Sequence, residues 1–370
     1  MNLQEKIARL RLYKTNKIGP VNYNKLMARF GSAVNALENL NEINGRYNKA
    51  ITPPSIALIE DEMAETEKAG IQIIVAGEND FPEMLTTQSS LPPVIYAKGN
   101  VELLNKKCFS IVGARNASPM AERYAFKYSQ ELGKSGLVIV SGMARGIDGE
   151  AHKGALDTGT IAVLGSCVNI PYPKENAELY EKLCAVGCVI SEMPLGTKPN
   201  ARLFAQRNRI IAGLSLGTLV VEAEIKSGSL ITAGMANDMG RDVFAIPSHP
   251  TDSRGRGCNK IIKDGTATLV EVPDDVLNQL SVFSNELNYN PINNNVFSPD
   301  EFVPTLDTDL IYKTHNEIIK VITTTPMDID NVIRQTNIPA NVIKTVLLEL
   351  ELAEIISYTR SGLIQLLPSD

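Results

Sequence analysis

A doubly wound α/β fold, a mostly parallel sheet with helices on both faces, is predicted for the middle of the chain by three observations. Six short apolar runs recur between residues 106 and 272: FSIVGA, LVIVSGM, TIAVLGS, CVISEM, TLVVEA and DVFAIPS. Each is rich in β-branched residues and bounded by Gly, Ser or Pro. Stretches with helical periodicity, such as SPMAERYAFKYSQELGKSG, lie between them. Near-continuous apolar strands alternating with helices are what a parallel sheet buried on both faces requires. The expected core is therefore a Rossmann-like doubly wound mostly parallel sheet.

The flanks read differently. Residues 1–70 form short helices, and IGPVNYNKLMARFGSAVNAL sets Gly19-Pro20 before an amphipathic helix and Gly31-Ser32 after it. This pattern resembles half of a helix-hairpin-helix or a SAM-like bundle, units whose helix N-termini touch DNA backbone; a plain structural bundle fits it equally. Residues 71–105 are a transition, with a strand in IQIIVAG and a proline-rich, irregular FPEMLTTQSSLPPVIYAKGN. The core accordingly spans 71–272. Residues 273–312, rich in Asn, Pro and acid and without Lys or Arg, read as a linker. Residues 313–370 give three helical patterns (HNEIIKVIT, DIDNVIRQTN, PANVIKTVLLELELAEI) and a strand pair, IISYTRSGLIQLL, which together describe a winged helix. Behind such a linker it is expected to fold independently and to be tethered.

Composition narrows the function. The chain of 370 residues has a net charge of −6, which by itself disfavours a nucleic-acid binder. The charge is segregated, however. Residues 1–49 carry nine Lys/Arg against three Asp/Glu, and residues 106–270 twenty against fifteen; residues 271–312 carry eight acids and no base. Blocks of sign govern association more than the total does. The five cysteines include no CxxC pair and the three histidines do not cluster, so neither a metal site nor a cofactor is expected. No apolar run is long enough to cross a membrane, and no secretory signal opens the chain, so a cytoplasmic protein is expected.

Four strand-end loops carry the chemistry, because ligands of open parallel sheets bind outside the carboxyl ends of the strands. In SIVGARNASP (110–119), Gly113 allows close approach to the backbone and Arg115 offers a bidentate phosphate contact. Ser118-Pro119 then open a helix whose free amides suit a phosphate. In VSGMARGIDGEAHKGAL (140–156), Gly142, Gly146 and Gly149 mark a strand-to-helix turn. Asp148 and His152 stand four apart there; an acid–base dyad is conceivable, but the pattern favours Asp148 orienting the turn and a structurally buried His152. In ARLFAQRNRIIAGLS (201–215), Arg202, Arg207 and Arg209 cluster with Phe204 and Asn208, a combination that supplies phosphate contacts and a stacking platform for an unpaired base. In GTLVVEAEIKSGSLITAGMAN (217–237), a strand ends in Glu222, and Lys226, Ser227 and Ser229 precede a helix containing Thr232, forming a second anion-binding concavity. Each loop also has a plain reading as an ordinary turn.

Taken in order, VGARNAS, SGMARGIDGEAH, TIAVLGS with IPYPKEN, ISEMPLGT, FAQRNRIIAGLS, VVEAEIKSGSLITA and FAIPS closely resemble the DprA/Smf family of bacterial DNA-processing proteins. The resemblance is strongest over 106–270. It departs at Ala205, usually Pro, at Ser248, usually Gly, and in a less glycine-rich loop after Leu164-Gly165. It implies a non-enzymatic core that binds single-stranded DNA, forms a homodimer or homo-oligomer through the core, and loads the RecA recombinase in natural transformation. It further implies that Gly113 and Arg115 line a phosphate pocket. Arg202, Phe204, Arg207, Asn208 and Arg209 would extend the DNA path, with Lys226, Ser227, Ser229 and Thr232 behind them. The alternative is a nucleotide-processing enzyme similar to the "lonely guy" phosphoribohydrolases, but the PGG of their PGGxGTxxE motif is missing and Glu222 lies four residues beyond Thr218. A dehydrogenase lacks its GxGxxG and a nuclease its acidic cluster.

Overall fold

All the apolar runs become strands of one nine-stranded sheet. The computed structural model describes residues 1–47, 51–286, 308–359 and 361–367. The chain begins with α1 (Leu3–Tyr13), α2 (Pro20–Phe30), α3 (Ala33–Tyr47) and α4 (Ile56–Lys68). The core follows as β1 (Gln72–Val75), β2 (Val94–Gly99), β3 (Cys108–Val112), α5 (Pro119–Lys134), β4 (Val138–Ser141), α6 (Ile147–Gly154), β5 (Thr160–Val163) and α7 (Ala177–Val186). It continues through β6 (Cys188–Ser191), α8 (Ala201–Leu214), β7 (Gly217–Val220), α9 (Gly228–Asp238), β8 (Asp242–Ala245), α10 (Arg256–Lys263), β9 (Thr268–Leu269) and α11 (Pro273–Glu286). The C-terminal part holds α12 (Thr308–Val321), α13 (Ile329–Thr336), α14 (Ala340–Leu352), β10 (Ile356–Tyr358) and β11 (Ile364–Leu366).

The sheet runs β1-β2-β6-β5-β4-β3-β7-β8-β9, parallel from β6 to β9, with β2 and β1 antiparallel at one edge. Every residue of β3 and β4 is buried, as two covered faces demand. Ser and Asn caps start the helices next to the strand ends: Ser118 accepts from the Ala121 N–H, Asn200 from Leu203 and Ser227 from Ser229.

Two expectations need correction. The proline-rich transition is not irregular throughout. VIYAKG forms β2, inserted between β1 and β6, because its four leading residues are apolar and buried; the prolines end before the ladder begins. The proposed linker is also shorter than 273–312. Residues 273–286 form α11, with Val276 buried in the core, and helix α12 begins at Thr308. Residues 287–307 lie outside the described residues.

The described residues divide into two compact units, one over 60–286 and the other joining 2–59 to 308–367. The second unit corrects the expectation of an independent, tethered winged helix. The C-terminal part does form three helices and a hairpin, but Leu348 and Leu352 of α14 share an apolar cluster with Leu12, Leu26 and Leu40 of the N-terminal helices. Among the described residues no helix is long and apolar enough to cross a membrane, and no group of three His, Cys, Asp or Glu could hold a metal.

Gly113, at the end of β3, shows how closely α6 packs on the sheet. A Cβ there would stand 2.5 Å from Ile147 Cγ1 and 3.0 Å from Cγ2, and this branched side chain is itself fully buried. The residue was expected to make room for a ligand; its tightest neighbour is the fold. Gly113→Ala should therefore destabilise the core by about 1–3 kcal/mol, the usual range for overpacking, read as a lower urea midpoint without any DNA present.

Candidate nucleic-acid interface

The connections diverge on either side of β3: β4, β5 and β6 lie to one side, β7, β8 and β9 to the other. Two cavities open at this switch point, where doubly wound folds bind ligands. One, of about 490 Å³, is lined from the β3 turn by Gly113 and Arg115, from α8 by Phe204, Arg207 and Asn208, and from the start of α9 by Lys226, Ser227, Ser229 and Thr232. It thus assembles every proposed contact except Arg202 and Arg209. The other, of about 610 Å³, shares Arg115, Ala144, Phe204 and Arg207 and adds Arg145, Ser166, Tyr172 and Lys174.

Phe204 and Arg115 divide the two lobes. The Phe204 ring stacks on Tyr172, with centroids 5.0 Å apart and planes 19° from parallel. The Arg115 guanidinium carbon lies 5.8 Å from the Phe204 centroid. Part of the Phe204 π-surface is therefore already covered, and Tyr172, 41% exposed, carries the stack outward. Tyr172 was not among the residues singled out from the sequence. Its signal was an aromatic residue between two prolines and beside Lys174, in a loop read only as a family motif. Arg145 was missed too; it faces Glu175 at 3.7 Å, and both side chains are more than half exposed. Arg115, Lys174 and Lys226 supply further exposed or rim cations.

The arginines of α8 have three different fates. Arg207 is buried and donates to the carbonyls of Gly142 and Val163, at the ends of β4 and β5. Burial pulls its pKa down to about 10, with Asp148 opposing the shift, so it stays charged at neutral pH. It forms the floor of both cavities and not an exposed step of a DNA path, contrary to expectation. Arg209 is withdrawn as well: it forms a largely buried ion pair with Glu192 and lines neither cavity. Arg202 is exposed but also lies outside both linings. The helical period turns Arg207 away from the other two; Arg202 and Arg209, seven residues apart, share a stripe and differ because Arg202 stands in the exposed first turn while Arg209 meets Glu192.

The turn after β4 is organised around Arg207. Gly142 has no Cβ to collide with its guanidinium, which would lie 2.5 Å away. Gly146, at φ +68, passes the Ala114 carbonyl where a Cβ would come within 2.5 Å. Asp148 is buried, accepts from the Ala144 N–H, and has its pKa raised by burial against the pull of Arg207. His152 is fully buried, with Nδ1 2.7 Å from Thr160 Oγ1; burial holds its pKa down at about 3, so the ring is neutral.

The cap residue at the head of α5 is already engaged by a carboxylate. Glu222 accepts from the Ser118 N–H at 3.0 Å and from its hydroxyl at 2.7 Å, taking the place an anionic ligand would occupy. The start of α9 differs: only the Ser227 hydroxyl caps it, and Gly228 and Ser229 line the smaller cavity.

A doubly wound sheet with a cationic, partly aromatic cleft at its switch point, accompanied by a helical and a winged-helix domain, is the architecture of the bacterial DNA-processing proteins. The chain belongs to the DprA/Smf family: residues 72–281 match the model of the DNA recombination-mediator protein A. Residues 3–64 match the DprA-like N-terminal HHH domain and residues 311–357 the DprA winged helix domain. The chain is 36% identical to the protein Smf of Escherichia coli over 83% of its own length and 81% of that protein. It is 37% identical to the DNA processing protein DprA of Streptococcus pneumoniae over 74% of its length and 98% of that protein. With the Smf of Synechocystis, 40% identical, it matches only 54% of that protein's length. Among solved structures, DNA processing protein A of Streptococcus pneumoniae superposes with a TM-score of 0.60 at 31% identity, covering 75% of this chain and 97% of that one. DNA processing protein A of Helicobacter pylori, described for its single-stranded DNA binding mode, superposes at 0.52 and 27% identity, covering 56% of this chain and 95% of that one.

Arg207 and Arg115 should separate in stability measurements. Arg207→Met removes the cation beside buried Asp148 and should destabilise the core by about 3–5 kcal/mol. Arg115→Ala, at the surface, should shift it by no more than about 0.5 kcal/mol. Urea unfolding of the two variants reads the difference.

His152 gives a signed pH dependence. The unfolded ring titrates at about 6.5 and the folded one at about 3, so between these values the unfolded state binds more protons and stability falls as pH falls. Asp148, held above its usual value, acts in the opposite sense at the acidic end. From pH 7 to 5, wild type should therefore lose more stability than His152→Asn, with a slope difference of up to about 1.4 kcal/mol per pH unit; parallel melting curves would contradict the assignment.

Proposed function

We propose that the chain binds single-stranded DNA at the switch point, with no chemistry of its own, self-associates through the core and hands the strand to the RecA recombinase. The observation that carries this is the Arg115–Phe204–Tyr172 stack standing between two cavities with cations on their rims. A guanidinium and a half-exposed aromatic ring, side by side, fit a phosphate and its unpaired base. The start of α9 offers amides and hydroxyls to a second phosphate. A duplex keeps its base faces occupied and gains little from such a stack. The Helicobacter pylori relative, described for its single-stranded DNA binding mode, agrees with this reading.

Catalysis finds little support in the cleft. His152 is neutral and buried, Asp148 lies beside Arg207, and Glu222, the carboxylate a phosphoribohydrolase would use, caps α5. Incubation with nucleoside monophosphates should release no free base.

Fluorescence anisotropy with a single-stranded oligonucleotide and the matching duplex tests the proposal. The single strand should bind more tightly. Arg115→Ala should weaken it and reduce the log–log salt slope by about 0.7, the share of one phosphate contact on a single strand. Tyr172→Ala should cost about 1–3 kcal/mol on the single strand and much less on duplex. Equal affinity for both forms, with both variants neutral, would remove the stacking mechanism. RecA assembly on an oligonucleotide pre-coated with a single-strand-binding protein, with and without this protein, tests the hand-over.

A further inference from the structure

We propose that Lys17 and Lys25 of the helical domain form a second binding face for a nucleic-acid phosphate backbone, that the winged helix covers it with Glu351 and Glu354 in the place of phosphates, and that the buried Arg29–Glu349 pair beside them is the anchor that stays closed. Three ion pairs carry the idea. Lys17 Nζ lies 2.8 Å from Glu354 Oε2, Lys25 Nζ 3.4 Å from Glu351 Oε2, and Arg29 Nη2 2.8 Å from Glu349 Oε1. All three lie within the second unit.

The cations are arranged as a backbone reader would need. Lys17 sits in the turn between α1 and α2, in the left-handed region at φ +72. Lys25 and Arg29 follow four residues apart on α2, hence on one face. Helix α2 begins at Gly19-Pro20 without a side-chain cap, so its first amides are not taken by a side chain. Other cations of this domain are engaged within it: Arg9 pairs with Glu5, and Arg11 Nε donates to the Pro54 carbonyl. Lys17, Lys25 and Arg29 instead each face a carboxylate of the winged helix.

The covering element is unsuited to bind DNA itself. In three-helix variants of the helix-turn-helix motif the third helix is the one that enters the major groove. Here that helix is α14, whose only basic residue is Lys344 and whose C-terminal end is acidic. It is buried along most of its length and packs Leu348 and Leu352 against the N-terminal helices. An acidic helix lying on a basic face imitates the charge of a nucleic-acid strand.

The pairs also grade from closed to open. The carboxyl side chain is 0% exposed at Glu349, 26% at Glu351 and 47% at Glu354. The inner pair and the two leucines hold the domains together. The outer pairs, in contact with water, are weak and salt-screened, so a polyanion can displace them without unfolding the unit. The face would thus become available in proportion to the local concentration of phosphate backbone. This face is separate from the switch-point cleft, which lies in the other unit.

The test uses the full chain with Arg115→Ala as the parent, so that the cleft's behaviour does not decide the result, and a 30-base-pair duplex as probe. Glu351→Gln and Glu354→Gln together should raise duplex affinity at low salt by about five- to tenfold, the gain expected from freeing two weak pairs. They should also steepen the log–log salt slope by about 1.8, two phosphate contacts on duplex. Adding Lys17→Gln and Lys25→Gln should return both values to the parent. If the double variant loses its circular dichroism melt, Glu354→Gln alone, at the most exposed pair, should give a slope change of about 0.9. A folded variant with unchanged affinity and slope would show the carboxylates to be a structural latch only and overturn the proposal. So would a gain that survives the lysine substitutions.

Discussion

The switch-point cleft depends on one buried cation. The Arg207 guanidinium bonds the carbonyls at the ends of β4 and β5 and faces Asp148 at the start of α6. A desolvated charge is tolerable only with such partners, so their positions are set by it. Gly142 must lack a side chain, Gly146 must take a left-handed conformation beside Ala114, and Asp148 must be drawn into the interior. Those constraints fix the turn that separates the two lobes. Arg115 and Phe204, which a ligand would meet, rest above this floor.

The same economy explains which charges face outward. Of the arginines on α8, one is committed to backbone carbonyls, one to Glu192 and one is exposed to solvent away from the cavities. Glu222 takes the N–H and hydroxyl of Ser118 at the head of α5, whereas the head of α9 is capped by Ser227 alone. The cleft therefore gains its character from a few cations left over after the fold has used the rest, together with an aromatic stack that no helix-periodicity argument would assemble.

The sequence made the fold readable where apolar runs and caps coincide, as at β3 with Ser118-Pro119 and at β7 with Ser227. Buried parallel strands and side-chain caps are local signals. The prolines before VIYAKG obscured β2, because a proline argues against a strand only where it falls inside the ladder. Most of the cleft was legible as well, since its residues lie at strand ends. The roles of Arg207 and Arg209 were not, because Arg in a motif looks the same whether it faces a carbonyl, a carboxylate or solvent. Tyr172 was hidden because its partner, Phe204, is distant in sequence. The pairing of Arg29 with Glu349 had no local signal at all.

The second unit is built from the two ends of the described chain, with the core lying between them in sequence. During synthesis the N-terminal helices leave the ribosome without Leu348 and Leu352, which complete their apolar cluster. The separation is about 300 residues, which at roughly 5–20 residues per second is a wait of about 15–60 seconds. The core, whose contacts lie within one continuous stretch, closes first. The early helices then keep part of their apolar face uncovered until α14 has been made.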